Sequence, residues 1–321
     1  MTQDDSRIFI DRTRVSVRRE KTRSDEGGNT IKTKAGVAVL VGRSNVGKST
    51  LLNALVGTKI AIVTPKPQTT RMPVRGVVTI DRPGFRAQIV FVDTPGVLER
   101  SNDRLTKAMI GSIRDSLEGV DVLVHVVDPT RAVGDEERRA LAFVEPVPSP
   151  KILVINKIDV GGSRHLDTFR ALSSRFDGTV EVSALRGTNL AALLDAIIGY
   201  LPEGQFLYPE HQVSDIPDSL RAAEIIREKL FFQLRQELPY HTHVEVTEFA
   251  ERENGVLYIA ASILTENERY QRMIIGKKGA GVKDIGKAAR KEIEAARDQR
   301  VFLDLSVRVD PRWTERLIRL I

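Results

Sequence analysis

The chain has 321 residues, 41% apolar and 29% charged, with 49 Lys and Arg against 43 Asp and Glu for a net charge of +6. This excludes a chain disordered throughout, and the length predicts two domains. Cysteine is absent, which removes disulfides, cysteine zinc sites and thiol nucleophiles; no apolar run approaches the ~20 residues of a membrane span, and the start MTQDDSR has no apolar core for a secretory signal.

Residues 1–34 are polar and carry a net +3. With few large apolar side chains they cannot offset chain entropy by burial. A disordered tail is expected, either solvated or acting as a basic arm that touches RNA. At Gly36 the pattern changes. Gly36–Val41 is a continuous apolar run, as in a strand buried on both faces. It enters Gly42-Arg43-Ser44-Asn45-Val46-Gly47-Lys48-Ser49-Thr50, which fits G-x-x-x-x-G-K-[ST], and a helical pattern follows over Ser49–Val56. The glycines let backbone N–H groups turn toward phosphate oxygens, and the helix N-terminus favours negative charge. Lys48 would reach the β- and γ-phosphates, and the Ser49 hydroxyl would hold Mg2+.

Met72–Ile80 predicts an edge strand, hairpinned through Asp81-Arg82-Pro83-Gly84 to a strand at Ala87–Val92. Asp93-Thr94-Pro95-Gly96 comes next. An Asp at a strand's C-terminal end can hold Mg2+ through water, and the Gly can offer its N–H to a γ-phosphate. Residue 97 is Val, which has no hydrogen-bonding side chain to orient water. A helix at Asn102–Leu117, a strand at Val120–Val127, a helix at Asp135–Phe143 and a strand at Lys151–Ile155 lead to Asn156-Lys157-Ile158-Asp159. A carboxylate that accepts from N1–H and N2–H2 separates guanine from adenine, and Asp159 takes that part. This argues against an ATPase. Asn156 would stitch the loop to the glycine-rich turn. A helix at His165–Arg175 and a short strand at Val180–Val182 precede Ser183-Ala184-Leu185, where the Ala184 N–H would meet guanine O6. After a helix at Leu190–Tyr200, Leu201-Pro202-Glu203-Gly204 closes the unit. Strands alternating with helices predict a mostly parallel α/β sheet over residues 35–204.

Residues 205–217 form a Pro- and acid-rich stretch, expected as a movable linker. Beyond it the order changes: a helix at Asp218–Glu237, strands at Val244–Phe249 and Val256–Leu264, helices at Arg269–Ile275 and Val282–Arg297, an alternating strand at Val301–Val309 and a helix at Trp313–Ile321. This predicts a separate α+β domain over 218–321. Its charge is polarised: residues 205–268 carry −7 and residues 269–321 carry +7. Ile275-Gly276-Lys277-Lys278-Gly279 lies between two helices. Glycine admits a nucleic-acid backbone closely and the lysines answer phosphates. Lys283, Lys287, Arg290 and Lys291 follow at helical spacing and extend the positive face. The bland alternative is a solvated helix surface.

The order of the phosphate, DTPG and NKID motifs resembles a translation-factor-type GTPase, and the G-x-x-G in its setting resembles a type II KH domain. From Gly36 onward the whole chain resembles the Era family of bacterial ribosome-assembly GTPases, on GRSNVGKST, PQTTR, DTPG, NKID, SAL, ELPYHTHVEV and IIGKKG. The resemblance implies a P-loop GTPase domain followed by a KH domain, slow Mg2+-dependent hydrolysis of GTP to GDP, and binding near the 3′ end of 16S rRNA during 30S subunit maturation. It places Pro67-Gln68-Thr69-Thr70-Arg71 at the first switch, with Thr70 as the Mg2+ and γ-phosphate ligand and Thr69 as the alternative. Asn45 becomes a holder of K+ beside the phosphates. A cytoplasmic protein is implied, and room is left for peripheral contact with the inner membrane. A competing reading is a nucleotide-gated scaffold with a protein or membrane partner.

Overall fold

The computed structural model describes residues 32–97, 103–234 and 237–321. Of the tail expected at 1–34, residues 1–31 lie outside the described residues. Its last three positions do not behave as tail: β1 runs Lys32–Val41. Lys32 to Lys34 pair in register with Phe85 to Ala87, and Gly204 N–H donates to Thr33 O. Backbone pairing on both sides orders a stretch whose side chains are polar.

The first domain continues with α1 (Lys48–Val56), β2 (Val74–Arg82), β3 (Phe85–Asp93), α2 (Arg104–Leu117), β4 (Val122–Val127), α3 (Asp135–Val144), β5 (Lys151–Ile155), α4 (Leu166–Arg170), β6 (Gly178–Glu181) and α5 (Leu190–Tyr200). The strand order is β2-β3-β1-β4-β5-β6, and β2 alone is antiparallel to its neighbour. Alternate side chains of each central strand feed opposite layers. Leu40, Val124 and Val154 pack with Leu51, Leu52, Leu193 and Ile197 of α1 and α5. Val39, Val41 and Leu123 pack with Ile113, Ala140 and Val144 of α2 and α3. That is why these strands read as unbroken apolar runs. The helix expected over His165–Arg175 splits, with a 3-10 turn at Ala171–Arg175.

Residues 205–217 do not hang free as a linker. The Val77 N–H of edge strand β2 donates to Val213 O (2.9 Å), and the buried Gln88 amide bonds the backbone of Leu207 and Tyr208 at 2.8–2.9 Å. The segment is a strap that covers an exposed sheet edge.

The second domain comprises α6 (Asp218–Gln233), β7 (Thr242–Glu251), β8 (Leu257–Thr265), α7 (Glu268–Ile275), α8 (Ala280–Arg297), β9 (Val301–Val309) and α9 (Trp313–Ile318). β8 pairs antiparallel with β7 and parallel with β9. One sheet face carries α6, α7 and α8, with Ile226, Leu230, Phe231, Ile274, Ile285 and Ile293 in its core. On the other face Leu264, Trp313 and Leu317 meet Met72 and Leu105 of the first domain. α6 stops four residues short of the expected Glu237; the Leu234 backbone is extended (ψ 150°).

Candidate GTPase site and G-x-x-G loop

The turn from β1 into α1 places the glycine-rich motif at the carboxyl end of the parallel strands, where the order of β1, β3 and β4 opens a crevice. Gly47 adopts φ 97°, and a Cβ there would sit 2.4 Å from Asn156 Nδ2, so both backbone and space demand glycine. A Cβ on Gly96 would lie 2.7 Å from Ser44 Cα. The turn and the DTPG loop therefore approach backbone to backbone.

The cleft between them holds about 520 Å3. Its walls include Ser44, Asn45, Lys48, Ser49, Thr50 and Gly96, together with the arc Ile62–Pro65 and Gln68–Thr70. Lys48 is buried and its ammonium donates to Gly42 O (2.9 Å) and Arg43 O (3.1 Å). Burial pushes it down to about 8, against the pull of Asp93. Burial raises the Asp93 carboxyl, opposed by Lys48 and by hydrogen bonds from Ser49 and Thr70. Ser49 Oγ donates to Asp93 Oδ2 (2.5 Å), and Thr70 Oγ1 lies 2.9 Å from Ser49 Oγ and 3.3 Å from Asp93 Oδ2. Asp93 Oδ1 is buried with no partner. Three hard oxygen donors converging beside an orphaned carboxylate oxygen suit Mg2+. Thr69 faces elsewhere: its hydroxyl bonds Thr64 Oγ1 (2.7 Å) and Lys66 O.

Other side chains of the expected set are engaged within the protein. The Arg43 side chain leaves the cleft and donates to Ala132 O, Asp128 O and Arg131 O. Val46 and Val97 are core residues, and Thr94 Oγ1 is spent on Leu40 O. Val97 N–H donates to Gly42 O (3.1 Å), so only the backbone of that residue serves the site. Asn156 Nδ2 donates to Val46 O (2.9 Å), while its Oδ1 takes the Ala184 N–H expected at guanine O6. Ser183 Oγ donates to Asp159 Oδ1 (2.5 Å) and aims that carboxylate. Lys157 ties Asn45 O to Asp128 at 2.7 Å. Ile62, Val63, Thr64, Pro65 and Phe232, which belong to none of the sequence motifs, also line the cleft.

The arc 59–71 is fastened to the second domain. Lys59 bridges Glu228 and Glu292 (2.6 Å each), and Glu228 Oε1 accepts the Val63 N–H (3.0 Å). Lys66 caps the last carbonyls of α6, Arg227 donates to Thr69 O (2.5 Å), and Arg71 donates to Thr242 O (2.7 Å) with its guanidinium over Trp313.

In the G-x-x-G loop Gly276 and Gly279 have φ 71° and 78°, and Lys278 takes φ 53°. Lys277, Lys278, Lys283, Lys287, Arg290 and Lys291 are all exposed. A third glycine, missed in the sequence, closes the loop: a Cβ on Gly281 would lie 2.4 Å from Ile274 O.

A family model described as "50S ribosome-binding GTPase" matches residues 37–157, and one described as "KH domain" matches residues 237–314. The chain is 43% identical to GTPase Era of Carboxydothermus hydrogenoformans over 284 residues, covering 87% of this chain and 94% of that one. It is 41% identical to GTPase Era of Trichlorobacter lovleyi, covering 89% and 96%. The chain belongs to the Era family of GTPases. A solved structure of Era from Aquifex aeolicus, a point variant bound to GDP and AlF4−, superposes with a TM-score of 0.84 at 40% identity, covering 89% of this chain and 98% of that one. Era in complex with MgGDPNP and nucleotides 1506–1542 of 16S ribosomal RNA superposes with a TM-score of 0.83 at 40% identity, covering 90% and 98%. The two-domain Era architecture and GTPase activity thus apply to this chain, with the KH match falling in the second domain, from ahead of β7 into α9.

Proposed function

We propose that the chain is a GTP-gated RNA clamp acting in maturation of the small ribosomal subunit and of the 3′ end of its 16S rRNA. GTP occupies the cleft with its phosphates on the Gly42–Thr50 turn. Lys48 leaves its backbone partners for the β- and γ-oxygens, Gly96 offers its N–H to the γ-phosphate, and Asp159 holds guanine N1–H and N2–H2. Ser49, Thr70 and Asp93 are the groups that hold Mg2+, which supplies positive charge against the phosphoryl oxygens. With the Val97 side chain in the core, no residue at that place orients water, so hydrolysis by the chain alone is slow. The Asn45 amide donates to Pro65 O (3.0 Å), and its Oδ1 is the acceptor offered to K+.

RNA binds at Ile275–Gly279 and along Lys283, Lys287 and Arg290, with the 3′ end of 16S rRNA on the 30S subunit as the target. Peripheral contact with the inner membrane would have to be made without a spanning helix, since no described helix is long and apolar enough to cross.

One observation carries the reading: Arg227 of the KH domain grips Thr69, next to the Thr70 that faces Ser49 and Asp93. Whatever orders Thr70 therefore acts on α6, and linkage makes RNA act back on the nucleotide. The test is the affinity for an RNA of the 16S 3′-end sequence with GDPNP and with GDP. Tighter binding with GDPNP is expected. Equal affinities defeat the gating, and no binding with either defeats the RNA reading.

A further inference from the structure

Phe231 and Phe232 are consecutive on α6 and face different environments. Phe231 is buried and meets Tyr240 edge-on (5.6 Å, 84°). Phe232 is 59% exposed, yet it lines the nucleotide cleft beside Asn45, Pro65, Gln68 and Lys157. It is the second domain's own contribution to that cleft among the described residues, and an aromatic ring in a wall that mixes Ile62, Val63 and Pro65 with hydroxyl, amide and ammonium side chains.

The ring sits on a turn pinned from two sides. Lys66 donates to Phe231 O (2.5 Å) and to Leu234 O, so the first domain caps the end of α6 around Phe232. Gln233 Nε2 donates to Gly281 O (2.9 Å), tying the same turn to the far side of the G-x-x-G loop. An exposed aromatic on a fixed turn loses little freedom on meeting a ligand. The ring has no core to fill here, and it shares the cleft wall with Asn45 of the phosphate turn and Lys157 of the NKID loop.

We infer that Phe232 is a nucleotide-retaining residue supplied by the KH domain: its ring packs on the ribose–phosphate portion of the bound nucleotide at the cleft mouth and slows its release. The inference rests on the cleft being the GTP site. It makes the last turn of α6, pinned to Gly281 through Gln233, the place where nucleotide and RNA loop meet.

The test loads full-length wild type, F232A, F232Y and F232L with radiolabelled GDP and follows its release into excess unlabelled GDP. Release from F232A is expected to be about tenfold faster, with association changed much less, because truncating an apolar contact acts mainly on the off-rate. F232Y should release GDP like wild type, and F232L at an intermediate rate. Thermal midpoints should stay together, since the ring is exposed. If F232A loses stability, the F232Y and F232L pair decides the matter. Release from F232A and F232L within twofold of wild type overturns the role of Phe232. Failure of the wild type to retain GDP at all overturns instead the assignment of the cleft, and Phe232 falls with it.

Discussion

Arg227 Nη2 lies 2.5 Å from Thr69 O, so a helix of the second domain holds the backbone one residue before the hydroxyl that faces Asp93. The guanidinium is almost fully buried and its other partner is Glu224. Replacing Arg227 with Met keeps the stem and removes the bond to Thr69. A buried hydrogen bond from a charged donor contributes roughly 1.5–3 kcal/mol. The R227M protein should lose about that much stability. The ratio of its RNA affinities with GDPNP and GDP should move toward one. A ratio equal to that of wild type would detach Arg227 from the gating.

Asp159 Oδ1 accepts from Ser183 Oγ at 2.5 Å, and the proposed function gives this carboxylate the guanine N1–H and N2–H2. D159N puts an amide where the carboxylate accepts two N–H bonds. A site built to pair with a donor loses about a thousandfold or more when that match is broken. GTP binding should fall accordingly, while the preference of GTP over inosine triphosphate, which lacks the 2-amino group, should shrink. Competition between the two nucleotides measures this, and an unchanged preference would remove Asp159 from base recognition.

The phosphate turn, the DTPG loop and the NKID loop were legible because their chemistry is local. A few consecutive residues after an apolar strand carry each one, and glycine at Gly47 is demanded by φ and by Asn156. The strands were legible because the central sheet is covered on both faces. What stayed hidden depends on the two domains meeting. Lys59, Val63 and Lys66 look like ordinary loop residues until α6 supplies Glu228 and its C-terminal carbonyls, and Arg71 does so until Thr242 offers its carbonyl. Phe232 reads as one more apolar residue of an amphipathic helix. The strap at 205–217 has linker composition, and only the unpaired edge of β2 and the buried Gln88 amide explain why it is held.

Lys277 and Lys278 are exposed at the tip of the G-x-x-G loop. If they answer phosphates, each contact releases counterions, and log affinity falls with log salt at roughly 0.7 per contact on single-stranded nucleic acid. K277D/K278D should abolish most of the binding and flatten the salt dependence of the remainder by about one to one and a half slope units. Filter binding across a salt series checks this. A weaker affinity with an unchanged slope would mean that the substitutions damaged the fold and not a phosphate contact.

His243 is buried, stacked on Trp313 (6.3 Å, 17°) and surrounded by Arg71, Arg227 and Arg316. Burial, reinforced by those three cations, pushes it down to about 3 from an ordinary 6.5. The folded chain therefore keeps this imidazole neutral at pH values where the unfolded chain protonates it. Between about pH 6.5 and 3 the unfolded state binds more protons, so stability falls as pH falls, by up to ~1.4 kcal/mol per pH unit from this group. From pH 7 to pH 5 that amounts to about 2 kcal/mol. The H243Q protein, which cannot titrate there, should start less stable at pH 7.5 and lose about 2 kcal/mol less than wild type over that interval. Denaturant unfolding of both proteins at a series of pH values makes the comparison. Parallel curves would show that the His243 imidazole takes up its proton as readily in the folded interface as in the open chain.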